Sequence, residues 1–297
     1  MTNNQLSLKY IELCKHISAQ VKVALIDRLK ATGFIGDKTT NPNDLKSTHE
    51  IDKVAISIIT QELKRYRCNL FMESYAGTVH EDADFSIFID PIDGSLNWDR
   101  GIGDPCIAFA ISEKSKNIKF KELSFAYVEG LRSGDFYFTE DEKSFFVSKA
   151  TGQRYQNTCE GNQHLSQATC YLRPGYSLAK PALEGSFPLF LECKDIRAVE
   201  NSGMELCEIA RNAADVMVET RGASDFYNLL AFPILRNAGG IICSLEGRDI
   251  GDTVIDVNAT YDFIAGNNKQ LMDKVLIVLS NYRSARSYSK DGLTFKF

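Results

Sequence analysis

An α/β fold with helices layered on mixed sheet is predicted by three features of this 297-residue chain. Two helically periodic segments open it. A series of short apolar strands separated by Gly, Asp and Lys follows, spaced as an antiparallel meander. The second half then alternates helix and strand, the pattern of helices packed against a sheet.

The elements follow in order. Ile11, Cys14, Ile17, Val21, Ala24, Leu25 and Leu29 recur at helical spacing, predicting a helix over 10–30. Residues 33–43, rich in Gly, Thr, Asn and Asp, read as a loop in which Lys38 could approach a phosphate. A second helix is expected from Ser47, with Glu50 completing a capping box. Its apolar face is Ile51, Val54, Ala55, Ile58, Ile59 and Leu63, and Asp52 lies beside that face near the N-terminal end, where helix polarity favours a carboxylate. Strands are expected at 68–72, 85–89, 107–111, 125–128, 136–138 and 145–147. The polar stretch 151–167 suggests a boundary between a half spanning 1–155 and a half spanning 156–297. Beyond it come strands at 168–172, 216–219, 241–244 and 262–265. Helices are expected at 204–214, 228–236 (stopped by Gly239-Gly240) and 268–279. Arg283, Arg286 and Lys290 read as a solvated tail.

Composition narrows the function. Hydrophobic content of 44% and charged content of 25% are those of a globular protein with a full core. A formal net charge of −5 gives no support for nucleic acid or an anionic membrane as partner. The eight cysteines form no Cys-x-x-Cys pair and no zinc-site spacing. The first residues lack a leader pattern and no apolar stretch reaches spanning length, so a reducing, cytoplasmic location is expected. No Gly-x-x-x-x-Gly-Lys-Ser/Thr run exists, which disfavours a P-loop phosphotransferase.

One stretch carries chemistry: Asp90-Pro91-Ile92-Asp93-Gly94-Ser95. The run Phe85-Ser86-Ile87-Phe88-Ile89 before it is a buried strand in pattern, and Pro91 and Gly94 should end it at Asp90 and turn the chain. Two carboxylates on such a turn repel unless a cation sits between them, and a hard divalent ion fits oxygen donors. Ser95 adds a hydroxyl and a nearby N–H. Glu73, at the end of the preceding strand, is a candidate third carboxylate.

With Asn97, Gly101, residues 203–219, Ala238-Gly239-Gly240 and residues 261–267, this stretch resembles the inositol monophosphatase family of Mg²⁺-dependent, lithium-sensitive sugar phosphatases. The resemblance implies a layered αβαβα sandwich with its site between the halves. It implies Mg²⁺ held by Asp90, Asp93 and the Ile92 carbonyl, and water oriented by Ser95 with Asp52. It further implies phosphate at the Gly94 and Ser95 amides beside Asp93, Glu219 against substrate hydroxyls, and a possible homodimer. The expected partner is a small phosphorylated polyol or sugar.

Two positions depart from the family's pattern. The family has paired acids before the motif strand, where this chain reads Phe71-Met72-Glu73-Ser74. The acid expected before Gly239-Gly240 falls on Tyr227 by count; the nearest carboxylate is Asp225, either a metal ligand or a helix N-cap. The leading reading is a Mg²⁺-dependent phosphomonoesterase. The alternative is a weak or inactive homologue that binds a phosphorylated ligand or a protein partner.

Overall fold

Alternate side chains of two sheets face opposite ways, and each face finds helices. The computed structural model describes residues 3–33, 50–173, 180–220 and 225–287. Helices α1 (Asn3–Thr32) and α2 (Glu50–Leu63) come first. Strands β1 (Cys68–Met72) and β2 (Phe85–Asp93) follow, then a short helix α3 (Ser95–Arg100). Strands β3 (Cys106–Ser112), β4 (Phe125–Gly130), β5 (Phe136–Glu140), β6 (Lys143–Val147) and β7 (Arg154–Gln156) complete a seven-stranded sheet in chain order. Strand β1 runs parallel to β2, and every later neighbour is antiparallel.

The second sheet begins with β8 (Thr169–Leu172), α4 (Lys180–Glu192), β9 (Asp195–Arg197), α5 (Ser202–Ala210) and β10 (Val216–Glu219). Helix α6 (Phe232–Asn237), β11 (Ile241–Cys243), β12 (Phe263–Gly266) and α7 (Lys269–Ser287) follow. Its order is β11-β12-β10-β8-β9, with β12 antiparallel to both neighbours and β10, β8 and β9 parallel.

Packing sorts these elements into layers. Ile87, Ile89, Ile107, Phe109 and Ile111 of the first sheet pack with Ile17 and Val21 of α1 and Ala55 and Ile59 of α2. The alternate residues Phe88, Cys106, Ala108, Ala110 and Ala126 face α5 and α6 instead. Most of that face is small, so the helices can approach closely. Leu206 and Ile209 of α5 and Leu235 of α6 also join Met217, Phe263 and Ala265 of the second sheet. That sheet's reverse face, with Leu172, Val216, Val218 and Ile264, is covered by Leu189 of α4 and Leu271 and Val275 of α7. This is the expected αβαβα sandwich. Burying each such aliphatic side chain contributes about 1.5–3 kcal/mol, and the middle helix layer is buried on both sides.

Several local expectations are corrected. Strand β2 does not end at Asp90 but continues to Asp93 through an irregular pairing with β3. The helix expected over 228–236 is split, because Pro233 lacks the N–H that a helix interior uses and fits most easily in a first turn. A 3-10 turn, Phe226–Leu229, comes first and α6 restarts with that proline in its opening positions. The helix expected over 204–214 is α5, which stops at Ala210; Asn212 then takes a left-handed φ of 61°. Helices α3 and α4 and the three-residue strands β7 and β9 went unforeseen. Helix α7 carries Arg283 and Arg286 within its span instead of ending at 279. Lys38, Ser47 and Lys290 lie outside the described residues. No helix among the described residues is long and apolar enough to cross a membrane.

Candidate active site

Strand parity creates a problem for the motif, and a bulge solves it. Residues three apart on a regular strand point to opposite faces. Asp90 pairs with Ala108 and Asp93 with Cys106, so three steps along β2 match two along β3. The extra residue of the bulge re-aims one side chain. Ala108 and Cys106 both face the middle layer, and Ile92 packs toward α1 and α2. Both aspartates therefore stand on the inner face, at 6% and 9% exposure. Pro91, which cannot donate to a ladder, sits where pairing lapses. Gly94 follows at φ 84°, ψ 36°, a left-handed conformation that suits glycine and starts α3 at Ser95.

Parity also separates Glu73 from Met72. Met72 is 1% exposed and packs in the α1–α2 core, opposite Ile89. Phe71 faces the inner layer and stacks on Phe88 at 4.9 Å. Glu73 shares the parity of Phe71, and its carboxyl hydrogen-bonds that of Asp90. Burial, then the charges of Asp225, Asp52 and Asp93, push the Glu73 acid from 4.5 up to about 8. Burial first and the same crowding, led by Glu73, raise Asp90 well above the usual carboxylate range. Two neighbouring carboxylates drawn out of water cannot both ionise cheaply, which is why both acids shift upward.

Asp225 caps the Phe226–Leu229 turn, accepting from the Tyr227 N–H at 3.1 Å. Capping does not take it out of the cluster, since its charge acts on Glu73, Asp90 and Asp93. The turn is pinned over β2 by Phe226, which meets Phe88 edge-on at 5.3 Å. The Tyr227 phenol feels Asp225, Glu73 and Asp90, which with burial push its pKa up. Asp52, partly buried in the first turn of α2, acts on Glu73 and Asp90 from the other side.

Asp93 is tied to the second half. Its Oδ2 accepts the Gly203 N–H at 2.6 Å, at the N-terminal end of α5. Burial pushes Asp93 up to about 7, against the pull of Arg173 and the Gly203 N–H. A Cβ on Gly203 would lie 3.0 Å from Cys106 Sγ and 3.3 Å from Asp93 Oδ2, so the residue is small for contact reasons. The Ile92 N–H donates to Asp90 Oδ1 at 3.1 Å.

Glu219, at the end of β10, is fully buried with its Oε2 3.6 Å from Arg173 Nη1. Arg173 and its partners Glu205, Ser202 and Asn228 were missed in the sequence reading. A signal existed: Glu205 and Glu219 interrupt apolar runs, and a buried acid needs a partner.

The donors fit a hard divalent cation in kind, being carboxylate oxygens. Among the described residues, no three acidic, imidazole or thiol side chains are yet drawn together closely enough to grip an ion.

This arrangement matches known proteins along most of its length. The model of the inositol monophosphatase family matches residues 10–284. The chain belongs to the inositol monophosphatase family. Among curated relatives, the fructose-1,6-bisphosphatase/inositol-1-monophosphatase of Methanocaldococcus jannaschii is 23% identical over 278 residues, covering 92% of this chain and all of the relative. The Nus factor SuhB of Xylella fastidiosa is 24% identical over 220 residues, covering 74% and 77% of the two chains. Of solved structures, the Thermotoga maritima IMPase superposes with a TM-score of 0.70 at 18% identity, covering 93% and 99%.

Proposed function

We propose that this chain is a Mg²⁺-dependent phosphomonoesterase acting on a small phosphorylated polyol or sugar. The observation that carries the reading is the bulge that stands Asp90 and Asp93 together on the inner face of β2, where the charges of Glu73, Asp225 and Asp52 act on Asp90. Crowded acids whose protons are held by mutual repulsion are arranged for a cation. Glu73, Asp90, the Ile92 carbonyl, Asp93 and Asp225 would hold it. Mg²⁺ held there would supply a water of lowered pKa and would neutralise phosphoryl and leaving-group oxygens.

The chain's own residues do the positioning. Asp52 would accept a hydrogen bond from the attacking water, and the Ser95 hydroxyl would fix its second direction. The Gly94 and Ser95 amides, at the left-handed turn that follows Asp93, would hold the phosphate. Glu219, if released from Arg173, would face hydroxyls of the leaving group. The bisphosphatase and inositol phosphatase name of the archaeal relative supports a substrate of this class.

Phosphate release from inositol monophosphate, fructose 1,6-bisphosphate and nucleotide monophosphates, with Mg²⁺ or Mn²⁺, tests the reading. Turnover is expected with at least one of them. No release, while a family enzyme run alongside is active, overturns it.

A second reading rests on Met72. A thioether buried in the α1–α2 core cannot stand in for a carboxylate. With the Nus-factor name of a bacterial relative, this favours a weakly catalytic homologue that binds a phosphorylated ligand or a protein. Calorimetric binding without turnover supports that alternative.

A further inference from the structure

Arg173 is 4% exposed, four residues' worth of polar partners surround it, and the proposed chemistry gives it no role. Its guanidinium forks. Nη2 donates to Ser202 Oγ at 2.7 Å and to Glu205 Oε2 at 2.9 Å, and Nε reaches the same carboxylate at 3.3 Å. Nη1 donates to Asn228 Oδ1 at 3.0 Å and lies 3.6 Å from Glu219 Oε2. Ser202 Oγ also donates to Asn228 Oδ1, closing the network.

Each arm leads to a carboxylate of the cluster. Ser202 precedes Gly203, whose N–H holds Asp93 at 2.6 Å. Asn228 Nδ2 donates to Asp225 Oδ1 at 3.3 Å. Two acids contributed by different segments are thus referenced to one planar, permanently charged group. Lysine offers three donors on a flexible stem and could not hold both directions.

We propose that Arg173 is a positioning residue of the site, setting Asp93 through Ser202 and Gly203, and Asp225 through Asn228. It touches neither substrate nor cation. Its second effect is on specificity: Glu219 is a partner of this guanidinium, so a polyol hydroxyl must compete with Arg173 for that carboxylate. The inference rests on the metal-site reading above.

Mn²⁺ binding by calorimetry on the full chain tests it, with turnover measured separately. Asn228→Ala cuts the arm to Asp225 while leaving the Arg173–Glu205 ion pair. Ser202→Ala cuts the other arm, and Arg173→Lys keeps the charge without the fork. Each is expected to raise the Mn²⁺ Kd about 10-fold, the scale of one hydrogen bond to a charged group. The thermal midpoint in chelator should stay within a few degrees for the two alanine variants, and excess Mn²⁺ should restore their turnover. A merely structural role would lower the midpoint and leave nothing for the cation to rescue. Kd values within twofold of the parent in both alanine variants overturn the inference, as does a parent that binds no divalent cation. A parent that binds Mn²⁺ but releases no phosphate refutes only the hydrolase reading, and the calorimetry still decides on Arg173.

Discussion

At the scale of single residues, the site depends on which oxygens are free to receive a cation and which are already committed. Asp90 is crowded by the charges of Glu73, Asp93, Asp225 and Asp52. Asp90→Asn removes one charge and puts a neutral amide where the crowded carboxylate stood. Phosphate release should fall by about 10²–10³-fold, the range for losing one preorganised electrostatic group, as measured by steady-state assay at saturating Mg²⁺. Gly203→Ala is a different probe. Its Cβ would press on Cys106 Sγ and Asp93 Oδ2, forcing the N–H donor away from the carboxylate. A roughly 10-fold weaker Mn²⁺ affinity is expected, with circular dichroism unchanged. Parental affinity in that variant would mean that the Asp93–Gly203 bond does not shape the site.

Elements supply what residues alone cannot, and here sequence reading reached its limit. The carboxylates of the motif were legible because Pro and Gly flank them and because few other patterns crowd acids after a buried strand. The bulge was not legible. Nothing in Asp90-Pro91-Ile92-Asp93 says whether the chain turns or stays paired with one residue extra, and only the register with β3 decides it. For the same reason Met72 and Glu73 were ambiguous until β1 was paired: parity, set by Ile89 opposite Met72, sends one to the core and the other to the site. Helix α3 was missed because six residues carry no usable period. Tertiary contacts hold it, since Arg132 donates to the carbonyls of Asn97 at 2.9 Å and Trp98 at 3.0 Å and lies over the Trp98 ring. Arg132→Ala should therefore cost about 1–3 kcal/mol in urea unfolding. A loss below about 0.5 kcal/mol would show that Gly94 and Gly101 cap α3 adequately without it.

The whole molecule brings the two sheets together around a layer of helices, and the site lies where the first sheet's inner face meets the second half. Burying acids there has a consequence for global stability that can be read against pH. Glu73 is raised from 4.5 to about 8 and Asp93 from 3.8 to about 7. In the unfolded chain both return to ordinary values, so between about pH 4 and 8 the folded state binds more protons than the unfolded one. Stability then falls with rising pH. In chelator, the contribution of these groups is fully present below the unfolded values and is lost as pH rises through the folded ones. A divalent cation held there would act in the opposite sense, because it would bind the ionised acids and add stability in proportion to its occupancy. The thermal midpoint in chelator should decline from pH 5.5 to 8.5, while the increment from added Mg²⁺ or Mn²⁺ should grow over that range. Glu73→Gln removes one of the displaced protons and should flatten the decline in chelator. If the parent and Glu73→Gln show the same pH slope, the acids are not crowded in the folded protein, and the electrostatic basis for a cation between them is lost.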